Sequence, residues 1–289
     1  MRWRVQDCKT QFMVRNFFYS FKDPRVLQIS ILGCLLVYGL LALNWSAELW
    51  RWAAFAIPAL LTQWLGNTLT GARGYKSAWI TILGLCLLLY ASSWWVAALC
   101  AILSIGVKFV IRADGKHFFN PSNFGIVAVI LLTGEAWISP GQWGSGAFWI
   151  FAIGGAAMLT TIKVKRLSTA IAFIATLFLL ETIRTVFFLG WGVDVLVHQF
   201  GSGAILLFTF FMITDPVTTP RHQTARTIWA AGVAVLAFLL THWVYLYTAP
   251  IYALVLLSPL TPLVNRWFPA DRFQWKTTHI QIKPQTLIS

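Results

Sequence analysis

The sequence predicts an all-α, polytopic membrane protein of about ten transmembrane helices, arranged as a five-plus-five inverted repeat. Of its 289 residues, 58% are hydrophobic and only 11% are charged, whereas soluble domains carry about 25% charged residues. Apolar runs recur along the whole chain, and Lys and Arg are confined to alternate connections between them. The excess apolar surface must face lipid, because the surface of a soluble protein needs polar groups to meet water.

Ten apolar runs approach the length of roughly 20 residues that a helix needs to cross a bilayer. The fifth and the eighth are short for a straight crossing, and a Pro-containing polar motif adjoins each of them. The predicted spans cover 26–44, 49–69, 77–91, 94–111, 122–135, 147–162, 168–190, 199–213, 225–242 and 248–264.

Nineteen of the 22 Lys and Arg residues fall on one side of this ten-span arrangement. Because Lys and Arg in short loops stay cytoplasmic, we expect both termini in the cytoplasm and the chain in a bacterial inner membrane. The net charge of +13 then reflects contact with the lipid bilayer, not nucleic acid. No cleavable signal sequence is evident, so the first span is expected to remain as an anchor.

The spans divide the chain into three predicted regions. A basic cytoplasmic head covers 1–25, the membrane domain covers 26–264, and a cytoplasmic tail covers 265–289. Within the membrane domain, 26–135 and 147–264 form two five-span repeats. An odd number of spans per repeat inverts the second relative to the first, and transporters of this plan bind ligands where Pro-interrupted segments meet.

The first candidate site precedes the fifth span. Asn120 is placed to cap a helix whose first turn holds Pro121. Lys116 adds positive charge, and Asn123 adds an amide, so this helix start could hold a phosphate or a ring carbonyl. The alternative is an ordinary capped helix on the cytoplasmic face.

The second candidate site follows the eighth span, in the run Thr214-Asp215-Pro216-Val217-Thr218-Thr219-Pro220. Its prolines stop a helix, and the Asp and Thr side chains can satisfy the freed backbone groups. It could be a re-entrant turn facing a cofactor or a plain cytoplasmic loop.

The third candidate site is Glu181 with Arg184 in the seventh span, three residues apart and therefore on one helix face. Ionisable groups within a span mark function by default, so the pair could line an ion or proton path. A self-neutralised pair that joins two helices is the alternative.

Small residues begin the eighth span at Gly201-Ser202-Gly203, where a ligand or another helix could approach closely. The four cysteines form no CxxC pair and the five histidines are scattered, so the sequence predicts no metal site.

Two of these motifs resemble the NqrB/RnfD family of membrane subunits. Residues 116–125 resemble its G-x-N-x-F-N-P-A signature, and Ser202-Gly203 followed by 211–220 resembles its S-G-G … F-x-x-T-D-P-V-T-x-P run. The similarity covers roughly 70–268. It implies ten helices in an inverted repeat, electron transfer through flavins, and membership of a multi-subunit redox complex.

The resemblance also implies an FMN attached to a Thr in a Ser-Gly-Ala-Thr loop between the fifth and sixth spans. Here the loop reads Ser145-Gly146-Ala147-Phe148, and Phe148 has no hydroxyl to form a phosphoester. Covalent FMN is therefore not expected. In this respect the chain resembles a divergent stand-alone relative of the family, such as the UnbU-like proteins.

The leading hypothesis is an electron-transfer subunit that holds flavin (FMN or riboflavin) or quinone non-covalently. The residues expected to bind it are Lys116, Asn120, Pro121, Asn123, Gly201, Ser202, Gly203, Thr214, Asp215, Pro216, Thr218 and Thr219. Such an oxidoreductase subunit needs redox or membrane partners, because the chain shows no nucleotide-binding fingerprint. The alternatives are a small-solute or ion transporter without a redox cofactor and a structural subunit of a larger complex.

Overall fold

The computed structural model describes residues 23–43, 45, 49–138, 155 and 157–275. The described part of the chain is almost entirely helical, which agrees with the predicted all-α membrane protein. Three of its helices are long and apolar enough to cross a membrane, and a bent pair of helices could make a fourth span.

The helices of the first half are α1 Pro24–Leu41, α2 Leu49–Thr70, α3 Lys76–Leu88, α4 Trp94–Val110 and α5 Pro121–Thr133. Two short antiparallel ribbons join their ends. Strand β1 (Leu89–Ala91) pairs with β4 (Ala136–Ile138), and β2 (Arg112–Ala113) pairs with β3 (Lys116–His117).

The second half begins with α6, a helix over 157–163. It continues with α7 Leu167–Thr182, a π-helical turn Ile183–Phe188, α8 Val193–Phe200, α9 Gly203–Leu207, a second π-helical turn Phe208–Met212, α10 Gln223–Trp243, α11 Ala249–Leu257 and α12 Leu260–Trp267.

These helices follow the predicted spans closely where the sequence is regular and break where it is not. The eighth predicted span is the second arm of a broken segment, since α8 and the α9 arm meet at an angle of 57°. The tenth is divided into α11 and α12 next to Pro259, because proline cannot continue the hydrogen-bond ladder of a helix.

The short helix α5 has strong start and stop signals. The Asn120 side chain accepts a hydrogen bond from the Asn123 N–H at 3.2 Å, and Pro121 occupies the first turn. Gly134 ends the helix with φ 66°, a left-handed conformation that suits glycine. The predicted cap is therefore confirmed.

Helices pack in the same order in both halves. In the first half α2 packs on α4, α4 on α5, and α1 on α3. In the second half α7 packs on α10, and α10 on α11. Because α7, α10 and α11 are the seventh, ninth and tenth predicted spans, these pairs correspond to the second-on-fourth and fourth-on-fifth pairs of the first half. The Thr161 hydroxyl of α6 also donates to the Phe210 carbonyl at 3.3 Å, which links the sixth predicted span to the eighth.

Two asparagines of the α5 start connect the halves. Asn123 Nδ2 donates to the Ile251 carbonyl of α11 at 2.9 Å, and Asn120 Nδ2 donates to the Met212 carbonyl at 3.3 Å. Both asparagines are buried. Buried amides that lose such partners cost free energy, so these bonds fix how α5 sits against the second half.

Helix α4 packs closely on α5 at Gly125. A Cβ at this position would lie 2.8 Å from the Cys100 carbonyl oxygen and closer still to the Ser104 hydroxyl. We expect Gly125→Ala to separate the two helices and lower the thermal unfolding midpoint of the detergent-purified protein, at a cost of about 1–3 kcal/mol.

Gly106→Ala is the matched control on α4, because a Cβ there meets no atom within 4 Å. Alanine favours helix over glycine by about 1 kcal/mol, so this variant should be neutral or stabilised. Equal midpoints for the two variants would show that the α4–α5 contact is not tight.

Candidate functional site

Several helix ends meet around one cavity of about 920 Å³. They are the start of α1, the end of α2, the start of α3, the end of α4, the start of α5 and the end of α6. The turn after the second π-helical segment completes the wall. All these ends belong to segments that the charge pattern assigns to one side of the membrane.

The β2–β3 hairpin presents a basic edge to this cavity. Its turn residues Asp114 and Gly115 have φ of 50° and 77°, conformations that Asp and Gly tolerate best. The Arg112 guanidinium donates to the Gly115 carbonyl. The tight turn places Arg112 opposite His117, so two cavity-lining residues stand side by side.

The chain after α12 also lines the cavity. Lys116 Nζ donates to the Phe273 carbonyl. The Trp275 ring lies 4.9 Å from the Arg25 guanidinium, and the Phe273 ring lies 5.8 Å from the Arg166 guanidinium. These contacts attach the start of the tail to both halves of the protein.

Helix α5 contributes the cavity wall with its first turn. Asn120 and Pro121 line the cavity, whereas Asn123 is turned away towards α11. Because both Asn120 side-chain polar atoms are already hydrogen-bonded, its main role is to shape the wall.

The turn after the second π-helical segment is largely self-satisfied. Asp215 Oδ1 accepts from the Val217 N–H at 3.0 Å, and the Thr219 hydroxyl donates to the Asp215 carbonyl at 2.8 Å. Thr214 donates to the Phe210 carbonyl. Thr214, Asp215 and Pro216 line the cavity, whereas Thr218 and Thr219 support the turn from behind.

The carboxyl of Asp215 is partly buried in this turn. Burial raises its pKa, while hydrogen bonds from Val217 and Thr218 and the nearby charges of Arg166 and Lys108 act in the opposite direction. Asp215 is thus the one carboxylate among the described residues that line this cavity, beside several Lys and Arg side chains.

The Gly201-Ser202-Gly203 segment lies elsewhere, at the break between α8 and α9. The Ser202 hydroxyl accepts from the Ala204 N–H at 3.3 Å and starts α9. None of the three lines the cavity. In the described structure their role is to form the bend.

The sequence reasoning missed Lys108, which lies at the end of α4 and lines the cavity. Its side chain is 8% exposed, and its ammonium donates to Gln63 Oε1 at 2.7 Å. The charges of Lys108 and Asp215 attract each other. A Lys at a predicted span end resembles an interfacial anchor, so only the contact with α2 identifies it as a site residue.

Glu181 pairs with His242 on α10, and no bond between Glu181 and Arg184 occurs among the described contacts. His242 Nε2 lies 2.9 Å and 3.0 Å from the two carboxylate oxygens of Glu181. Glu181 is 2% exposed. It lies about 20 Å along α7 from the end near the cavity, at 1.5 Å per residue, so the pair forms a second, separate polar centre.

No group of three or more metal-ligating side chains occurs among the described residues. The loop Ser145-Gly146-Ala147-Phe148, on which the expectation about covalent FMN depends, lies outside the described residues.

Comparisons with known proteins bear on the family resemblance. The model of the NQR2, RnfD, RnfE family matches residues 131–274. The matched stretch, just under half of the chain, is similar to that family. The resemblance predicted from the sequence motifs is thereby confirmed, and the Thr-Asp-Pro turn falls within the matched stretch.

The curated relatives share one description, as the same component of an ion-translocating oxidoreductase complex. The chain is 30% identical to the protein of Halorhodospira halophila over 135 residues, which are 45% of this chain and 36% of that one. It is 28% identical to the protein of Shewanella denitrificans over 189 residues, 60% of this chain and 52% of that one. The chain thus spans about a third to a half of the length of these relatives.

His117 gives the site a measurable pH dependence. Burial, followed by the charges of Lys108, Arg112 and Lys116, lowers its pKa from 6.5 to about 4. Between pH 6.5 and 4, His117 is therefore protonated in the unfolded chain but not in the folded protein. Stability should fall as the pH decreases from 6.5 to 4, and His117→Gln should remove on the order of 1–3 kcal/mol of that fall.

The measurement is denaturant or thermal unfolding at pH 7.5, 6, 5 and 4, with His198→Gln as the control for an exposed histidine. An identical pH profile for His117→Gln and the unmodified protein would contradict the buried, neutral imidazole.

The Glu181–His242 pair predicts non-additive substitutions. His242→Leu leaves a buried carboxylate without its partner, which costs about 3–5 kcal/mol. The double substitution Glu181→Leu/His242→Leu should recover much of this loss. Thermal unfolding of the two single variants and the double variant measures the coupling, and additive losses would show that the groups do not interact.

Proposed function

We propose that this chain is a membrane electron-transfer subunit that holds flavin or quinone non-covalently in the cavity and relays electrons to a partner protein. The observation that carries the proposal is the cavity itself. It unites the start of α5 with the Thr-Asp-Pro turn, the two segments for which the sequence predicts a cofactor site.

The cavity residues fit a flavin. A volume of about 920 Å³ lies within the range of about 300–1,000 Å³ that is typical of ligand sites. Lys108 offers a donor at its wall, and Phe210 and Phe211 offer apolar surface. A bound flavin would supply the reversible electron chemistry, while the protein sets its orientation and electrostatics.

A partner is part of the proposal, because the chain shows no nucleotide-binding fingerprint through which it could take electrons from a soluble donor. The relatives are described as components of an ion-translocating oxidoreductase complex, which supports a multi-subunit assembly.

The proposal includes ten spans in an inverted repeat, with both termini in the cytoplasm. The repeated packing order of the helices supports the two repeats. Helix ends with basic residues meet around one cavity, which supports their lying on the same side of the membrane. Lys and Arg in short loops favour the cytoplasm as that side.

A second candidate function, ion or proton movement, draws support from the Glu181–His242 pair. The pair is buried between α7 and α10 beside the π-helical turn Ile183–Phe188. π-helical turns occur frequently at functional sites, and ionisable groups within spans often mark ion routes. Under this alternative the cavity would hold no redox cofactor.

An absorbance and fluorescence spectrum of the detergent-purified protein, before and after acid precipitation, separates these candidates. We expect flavin in the supernatant at about one per chain. Flavin in the pellet would show covalent attachment, and absence of flavin after reconstitution with FMN and riboflavin would favour transport or a structural role.

Lys108 should tune the bound flavin. A buried cation beside the ring favours the electron-rich reduced form, so Lys108→Met should lower the midpoint potential of the flavin. Redox titration followed at the flavin absorbance band measures the shift. Arg184→Met removes a charge away from the cavity and is the control; equal shifts in both variants would contradict a position of Lys108 next to the ring.

A further inference from the structure

We propose that the ligand of the cavity carries a phosphate group, which Arg73, Arg112 and Lys116 hold at the mouth while the ring lies deeper, beside Lys108. This inference rests on the proposed flavin function and extends it to the chemical class of the ligand. It distinguishes FMN from riboflavin and from quinone, neither of which carries a phosphate.

The mouth of the cavity is the side formed by its partly or fully exposed Lys and Arg residues. Five basic side chains line it: Arg25, Arg73, Lys76, Arg112 and Lys116. Arg25 and Lys76 share the carboxylate of Asp23, at 2.9 Å and 2.8 Å. Burial alone would raise the pKa of Asp23, but hydrogen bonds from these two residues lower it to about 2. Two of the five cations therefore share one stable carboxylate, which offsets one of their two charges.

The other three have no carboxylate partner in the part of the chain that the structure describes. Among the described residues, Arg112 donates to the Gly115 carbonyl and Lys116 to the Phe273 carbonyl. Arg73 is exposed in the loop between α2 and α3. Three uncompensated cations around one opening would attract an anion, and charge-assisted bonds to phosphate are among the strongest available.

More positive charge lies behind Lys116. Burial, followed by the charges of Arg221 and Arg272, lowers the pKa of Lys116. Arg221 is partly compensated by Asp114 at 3.7 Å. Like charges that crowd one ammonium are unfavourable without a counter-ion, and a phosphate dianion would relieve the repulsion.

The interior of the cavity has a different character. Lys108 donates to Gln63, and the negative charge of Asp215 opposes its positive charge, so the inner charges are nearly balanced. Gly84 and the aromatic residues Phe109, Phe210 and Phe211 supply small or apolar surface. A neutral, flat ring suits this interior, whereas a dianion suits the mouth. The charge distribution therefore orients the ligand with its phosphate outward.

The same phosphate chemistry could come from a soluble flavin nucleotide or from an anionic lipid headgroup. The test uses the full-length protein, stripped of bound flavin, in nanodiscs of neutral phosphatidylcholine. Binding of FMN and of riboflavin is measured by the change in flavin fluorescence. Because the two share one ring system, their difference reports the phosphate alone.

We expect FMN to bind at least tenfold more tightly than riboflavin. Arg73→Gln and Lys116→Gln should each weaken FMN several-fold and leave riboflavin unchanged. Arg266→Gln removes the same charge from an exposed position on α12 outside the cavity and is the matched control. Inorganic phosphate should compete with FMN and not with riboflavin.

Equal affinity for FMN and riboflavin, with no effect of Lys116→Gln, would overturn the phosphate site while leaving the flavin function intact. If neither flavin binds, the proposed function fails and the phosphate site is tested by itself. Inorganic phosphate should then still raise the unfolding temperature relative to chloride at equal ionic strength, and should lose that effect in Lys116→Gln; absence of the effect overturns the site. If the preference for FMN disappears in nanodiscs that contain phosphatidylglycerol, the phosphate is supplied by lipid.

Discussion

The hydrogen bonds of the α5 asparagines across the middle of the protein fix the rest of the arrangement. Asn123 reaches the backbone of α11, and Asn120 reaches the last carbonyl of the second π-helical turn. A buried amide in an apolar bundle has few alternative partners, so each bond strongly favours one relative position of the halves. The cavity forms between the elements positioned in this way.

The polar residues of the two Pro-containing motifs are mostly engaged with their own backbone. Asn120 caps α5, and Asp215 and Thr219 close the turn that follows the second π-helical segment. Broken helices leave backbone groups without partners, and in lipid these groups must be satisfied by neighbouring side chains. The motifs therefore build the wall, and groups from other elements supply most of the charge that faces the cavity.

That charge comes mainly from the first half of the chain. Lys108, Arg112 and Lys116 belong to the end of α4 and the hairpin after it, and Arg73 belongs to the loop before α3. The second half contributes Asp215. The family match begins only at residue 131, so the Thr-Asp-Pro turn lies inside the matched stretch and these basic residues lie before it. Ligand preference would then depend on residues that the family match does not include.

The sequence by itself determined the helical membrane class, most helix positions, the Asn120 cap and the resemblance to the NqrB/RnfD family. Long apolar runs, a capping pair and a specific Thr-Asp-Pro run are local signals that depend on neighbouring residues only. The tertiary structure decided which polar groups meet. It paired Glu181 with His242 in place of Arg184, separated Gly201-Ser202-Gly203 from the cavity, and brought Lys108 into it. These outcomes depend on helix rotation and on contacts between residues far apart in the chain, for which hydrophobic runs carry no signal.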